Sequence, residues 1–106
     1  MPKYLIQVSY TAEGAQGLLK AGGSARRKAA ADTLAQFGGT LEAFYFAFGA
    51  DDAALIADVP DPESMAAISL AVSATGTIRT RATVLLTPEQ IDEAAKKHVN
   101  FRAPGE

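Results

Sequence analysis

The sequence predicts an α+β sandwich in which two helices lie on one face of a four-stranded antiparallel sheet. Three observations carry this. Four segments are rich in β-branched and aromatic residues and alternate with a period of two. Two segments between them carry apolar residues at helical spacing. The order is strand, helix, strand, strand, helix, strand, followed by an extra helix. That is the split βαβ order of a ferredoxin-like βαββαβ sandwich. A chain of 106 residues has room for one such unit, expected to span 1–106.

Lys3 to Tyr10 is the first strand. Tyr4, Ile6, Val8 and Tyr10 share one face, while Leu5, Gln7 and Ser9 share the other, which is mixed. Thr11 to Gly23 holds four of the nine glycines and is expected as a loop, with at most a helical turn between Glu13 and Leu19. Ser24 is the expected N-cap of a helix from about Ala25 to Phe37. Ala30, Thr33, Leu34 and Phe37 line its inner stripe, and Gly38-Gly39 supplies a left-handed stop.

Thr40 to Phe48 is the second strand, with Phe44, Phe46 and Phe48 on one face and Leu41, Ala43, Tyr45 and Ala47 on the other. Gly49-Ala50-Asp51 turns the chain into a third strand, Asp52 to Val59. Asp61-Pro62-Glu63 opens the second helix with a cap, a proline at the first helical position and an acid near the positive dipole end. Met65, Ile68 and Val72 give its helical spacing, and Gly76 ends it. Thr77 to Leu86 is the fourth strand. Thr87-Pro88-Glu89-Gln90 fits a capping box for a short helix to about His98, and Val99 to Glu106 is expected to be irregular.

The helices roof one face of this sheet only. Neither register of the second or third strand is strongly polar, so the open face is expected to be apolar and to serve as an interaction surface. Two such sheets packed face to face would close a dimeric α/β barrel, so a homodimer or higher homo-oligomer is the expected assembly. Of 51 apolar residues, 22 are Ala, which leaves a thin core that gains from burial against a copy of itself.

The formal charge of −2 argues against broad electrostatic capture of nucleic acid or an anionic membrane. No apolar run is long enough to span a bilayer, and the first residues lack the pattern of a signal peptide, so a cytoplasmic protein is expected. Without Cys there is no disulfide or thiolate chemistry, and a single His cannot build an all-imidazole metal site in one chain. No metal and no cofactor are expected.

Several short motifs stand in one order along the chain. The first strand ends Tyr10-Thr11-Ala12-Glu13-Gly14, and Arg26 stands at the following helix start. Gly38-Gly39 precedes an aromatic strand containing Phe44-Tyr45, and Gly49-Ala50-Asp51-Asp52 leads through an apolar strand to Pro60-Asp61. Gly76-Thr77-Ile78-Arg79-Thr80 and Phe101-Arg102-Ala103-Pro104-Gly105 follow. This order resembles the GYD family, small proteins of poorly defined function, over nearly the whole chain. The resemblance implies a dimeric α+β barrel. Some members of that wider group are cofactor-free oxygenases or isomerases, and others bind haem. The family usually has Tyr where this chain has Asp51, so any chemistry of that hydroxyl would be missing here.

Five residues make up the expected small-ligand site: Gln7, Tyr10, Tyr45, Asp52 and Arg79. Tyr10 and Tyr45 come from different strands and could meet Gln7 inside a barrel, where apolar walls with a few polar groups suit a small ligand. Asp52, if it faced inward, would be a candidate base. Arg79 shares a face with Arg81 and would reach Asp52 or a bound acid; outward charge on an edge strand is the plainer alternative. Asp51 and Asp52, as turn residues, also have the plain role of turn chemistry.

Arg26-Arg27-Lys28 at a helix start, after Gly22-Gly23, would suit an anion, although the phosphate-loop spacing is absent. The expected function is a homo-oligomeric barrel holding a small apolar or acidic ligand between sheet and helices. One alternative is a cofactor-independent oxygenase or isomerase using Asp52, Arg79 and Tyr10. Another is a haem-binding barrel ligated by His98.

Overall fold

The computed structural model describes residues 1–105; Glu106, the end of the expected irregular tail, lies outside them. The elements follow in the order β1 (Lys3–Tyr10), α1 (Ala12–Ala21), α2 (Gly23–Ala35), β2 (Thr40–Phe46), β3 (Ala53–Asp58), α3 (Pro62–Ala74), β4 (Ile78–Leu85) and α4 (Pro88–Ala95). The strands form one open antiparallel sheet in the order β2-β3-β1-β4, consistent with a ferredoxin-like fold. The central strands β1 and β3 supply most of the core: Tyr4, Ile6 and Val8 from one, Ala53, Leu55 and Ala57 from the other. Leu34 comes down from α2, which packs on β2, and Met65 and Ile68 come down from α3, which packs on β4.

The segment expected as a loop over Thr11 to Gly23 is mostly helix. The Thr11 hydroxyl caps α1 by accepting the Gly14 N–H at 3.3 Å. Gly14 is required by contact: a Cβ there would stand 2.0 Å from the Thr77 carbonyl oxygen, because α1 lies directly against the start of β4. Gly22, at φ 88°, breaks α1 from α2. Helix α2 then starts at Gly23 with no side-chain cap, so Ser24 does not play that part, and it stops at Ala35, leaving Phe37 beyond its last turn.

β2 differs from simple alternation as well. Its register against β3 shifts between Leu41 and Ala43. The bulge turns Leu41 to the core side with Phe44 and Phe46, away from Ala43 and Tyr45. The strand ends at Phe46, and Phe48 is exposed at φ 53°, its ring stacked on Phe46 at 6.1 Å. Asp61 caps α3 as expected, accepting the Ser64 N–H at 2.7 Å. That backbone hydrogen bond, with help from the Ser64 side chain, holds the Asp61 carboxyl below the usual carboxylate range. Thr87 and Gln90 form the expected capping box on α4, but the helix ends at Ala95 and His98 falls outside it.

The open face of the sheet is mixed, where an apolar one was expected. Leu5 and Ile56 pair at its centre. Around them stand Lys3, which reaches both Asp58 and Glu42 at 3.1 Å, and Arg81, which pairs with Asp51. Hydrogen bonding to Asp58, then to Glu42, holds the Lys3 ammonium above its ordinary range.

Past Leu85 the chain leaves the body. Helix α4 packs appreciably on no other element, and its hydrogen bonds and ion pairs are local to residues 87–97. The Cα radius of gyration is 16.8 Å, against roughly 13 Å for a chain of this length folded into a ball. The longest axis measures 56 Å and the next 33 Å. Leu86, Ile91, Val99 and Phe101 are exposed on this arm, Phe101 by 80%.

Candidate functional site

The helical roof does not close on the sheet. A cavity of about 210 Å³ lies between them. Its floor is Ile6, Val8 and Tyr10 of β1, with Leu55 of β3, Phe44 of β2 and Ile78 and Thr80 of β4. Its roof is Ala29, Ala30 and Thr33 of α2 with Ile68, Ser69 and Val72 of α3. The cavity has a local cause in the sequence. On α2, Ala29 and Ala30 present methyl groups where a Leu or Ile would have filled the space. Empty volume of this kind costs dispersion contacts, so it persists only where the surrounding backbone cannot collapse.

Arg26 stands in the first part of α2 and lines this cavity, half-buried. A second hollow of about 150 Å³ adjoins it between α1 and the start of β4, lined by Glu13, Gly14, Leu18 and Thr77. Tyr10, Arg26 and Ile78 line both hollows. Among the described residues, the Arg26 guanidinium and the Tyr10 hydroxyl make no hydrogen bond or ion pair with protein. A guanidinium stays charged at any physiological pH and offers five donors. Held half out of water beside apolar walls, and not paired with the Glu13 carboxylate of the adjoining hollow, it favours an anion at that point.

Of the five residues expected to make a ligand site, the structure places Tyr10 at this cavity. Gln7 and Arg79 lie on the opposite face of β1 and β4, and Tyr45 lies on the opposite face of β2, 72% exposed. Asp52 sits in the turn before β3. Its carboxylate accepts the Tyr10 N–H at 2.8 Å while its own N–H donates to the Val8 carbonyl at 2.8 Å. It therefore fastens the turn to the end of β1. Asp51 points to the open face instead, accepting from the Ser9 hydroxyl at 3.1 Å and pairing with Arg81. Arg79 thus meets neither aspartate. The two tyrosines do not converge within one chain, and the set Asp52, Arg79 and Tyr10 is not gathered at one point.

His98 is exposed beyond α4 and lines none of these hollows. No group of three or more His, Asp or Glu side chains that could hold a metal gathers among the described residues. No helix among them is long and apolar enough to cross a membrane.

The residue that sequence reasoning placed outside its ligand set is Arg26. The signal was its position in the run Arg26-Arg27-Lys28 behind Gly22-Gly23, at a helix start where the dipole disfavours cations. What the run does not reveal is which of the three faces inward. Lys28 pairs with Asp32 at 2.8 Å and is exposed, and Arg27 is exposed too.

No curated protein matches the chain. The family model of the GYD domain matches residues 4–95, from the second residue of β1 to the last of α4. That span takes in the sheet apart from Lys3, the four helices and both hollows, and the chain belongs to the GYD domain family.

Proposed function

We propose that this protein is a homo-oligomeric ligand-binding module, and that its ligand is a small acid with an apolar body. The body lies between sheet and helices, and the carboxylate or comparable anion meets Arg26, with the Tyr10 hydroxyl as a second donor. The observation that carries this reading is the half-buried Arg26 with no anionic partner, at the edge of an apolar cavity. An apolar cavity of about 150 Å³ accommodates benzene, so 210 Å³ suits a single ring or a short branched chain. The second copy contributes by covering the open sheet face, whose central Leu5 and Ile56 gain little from the chain's own helices.

A matched pair of probes tests the ligand reading. Phenylacetate raises the melting temperature of the full-length protein by several degrees at saturation, as binding to the native state requires, and 2-phenylethanol raises it less. Arg26→Met removes the difference between the acid and the alcohol. A shift by phenylacetate that survives Arg26→Met, or no shift from either probe, overturns the proposal.

A further inference from the structure

We propose that the acid held at Arg26 is an α-amino acid with an apolar side chain. Its side chain fills the larger cavity. Its charged head lies in the smaller hollow, with the carboxylate on Arg26 and the ammonium on Glu13. This rests on the ligand reading above and deepens it, since it names the class of acid.

Three observations meet here. The first is charge. The smaller hollow is lined by one carboxylate, Glu13, and one guanidinium, Arg26. The two do not pair with each other. Among the described residues the Glu13 carboxylate, like the Arg26 guanidinium, makes no hydrogen bond or ion pair with protein. A plain acid seated on Arg26 brings a second negative charge to a hollow that Glu13 already lines, and like charges at that range repel. An ammonium on the same ligand removes the repulsion and gives Glu13 a partner with three donors. A ligand carrying both signs therefore satisfies both side chains.

The second is arrangement. Tyr10, Arg26 and Ile78 line both spaces, whereas Glu13 lines the smaller one alone. Arg26 thus stands where the apolar cavity and the charged hollow adjoin. An α-amino acid has the same order: an apolar group, then a single carbon bearing carboxylate and ammonium together. The smaller hollow measures about 150 Å³, against a liquid share of about 30 Å³ for one water. It has room for that compact head, and the larger cavity of about 210 Å³ has room for a branched or single-ring side chain.

The third is a glycine. Helix α1 lines the hollow with Glu13, Gly14, Gly17, Leu18 and Ala21. Gly14 is explained by the Thr77 carbonyl, but a Cβ at Gly17 would meet nothing within 4 Å. Glycine inside a helix weakens it, and no packing within the chain requires one at this position. A ligand head beside α1 supplies the missing reason.

The test compares L-phenylalanine with 3-phenylpropanoate, which differs from it only in lacking the amine, by titration calorimetry on the full-length protein. The expected result is that phenylalanine binds at least about threefold more tightly, the scale of one partly exposed ion pair. Glu13→Gln makes the two ligands equal without weakening 3-phenylpropanoate, and Glu13→Lys reverses their order. Equal binding of the two by the native protein, or tighter binding of 3-phenylpropanoate, overturns the amino acid and leaves the acid reading standing. A preference for phenylalanine that survives both Glu13 variants overturns it as well. Binding of neither ligand overturns the acid reading and the amino acid together.

Discussion

The two faces of β1 are made from alternate residues of one eight-residue strand, and they obey different rules. Toward the helices, Tyr4, Ile6 and Val8 are all buried, and their neighbours across β3 are likewise apolar. Away from the helices, Lys3, Leu5, Gln7 and Ser9 are only half-buried, and they share their face with charged side chains: Glu42, Asp58, Arg79 and Arg81 from the other strands and Asp51 from the turn before β3. The strands place no charged side chain on the roofed face, where a charge without a partner would lose water with nothing to replace it. The open face tolerates an ion pair beside a leucine because solvent, or a second copy, completes both. The inner face thus carries the fold, and the outer face is the one that the proposed second copy would cover.

The largest expected effect separates the two faces directly. Ile6→Ala removes buried methylenes from the roofed side and lowers stability by about 2–5 kcal/mol in urea unfolding. Leu5→Ala, one residue away, lowers it by about 1 kcal/mol in dilute protein, with a loss that grows as protein concentration rises. Equal losses at every concentration would erase the distinction. A smaller effect tests how the roof is seated. Gly14→Ala forces α1 away from the Thr77 carbonyl and costs about 1–3 kcal/mol; a neutral result would mean that α1 is not held against β4. The smallest concerns the roof's own integrity. Asp61→Ala uncaps α3 and lowers the melting temperature by roughly 4–8 °C at neutral pH. Because the folded Asp61 carboxyl lies below its ordinary range, its contribution is complete above the unfolded value and is lost as pH falls through the folded one. The gap between wild type and Asp61→Ala therefore narrows below about pH 4, which calorimetry across that range reads directly.

Much of the fold was legible because its inner face is periodic. The alternation of Tyr4, Ile6 and Val8, and the spacing of Met65, Ile68 and Val72, each encode one element and the side it buries. What escaped was set by contacts between distant residues. Gly14 looks like a loop residue until the Thr77 carbonyl is placed beside it, and α1 was hidden by that ambiguity. The β2 bulge depends on pairing with β3, so Leu41 changes face for a reason that strand periodicity does not contain. The expected apolar open face overlooked how many of its positions the cross-strand register gives to charged residues.

The site was legible in part. Tyr10 follows from alternation alone. Asp52 was a reasonable base until its backbone partners were known, since a carboxylate in a turn reveals neither its direction nor what it accepts. Arg26 required knowing that α1 and α2 meet so as to turn it, rather than Arg27, toward the sheet.

The short side chains overhead have an evolutionary corollary. Ala29, Ala30 and Ser69 touch the hollow but pair no strands and cap no helix. Each is free to lengthen or change polarity without disturbing the ladder below. Lineages sharing this scaffold can therefore drift in the size and polarity of the hollow through two or three substitutions overhead, leaving the architecture recognisable.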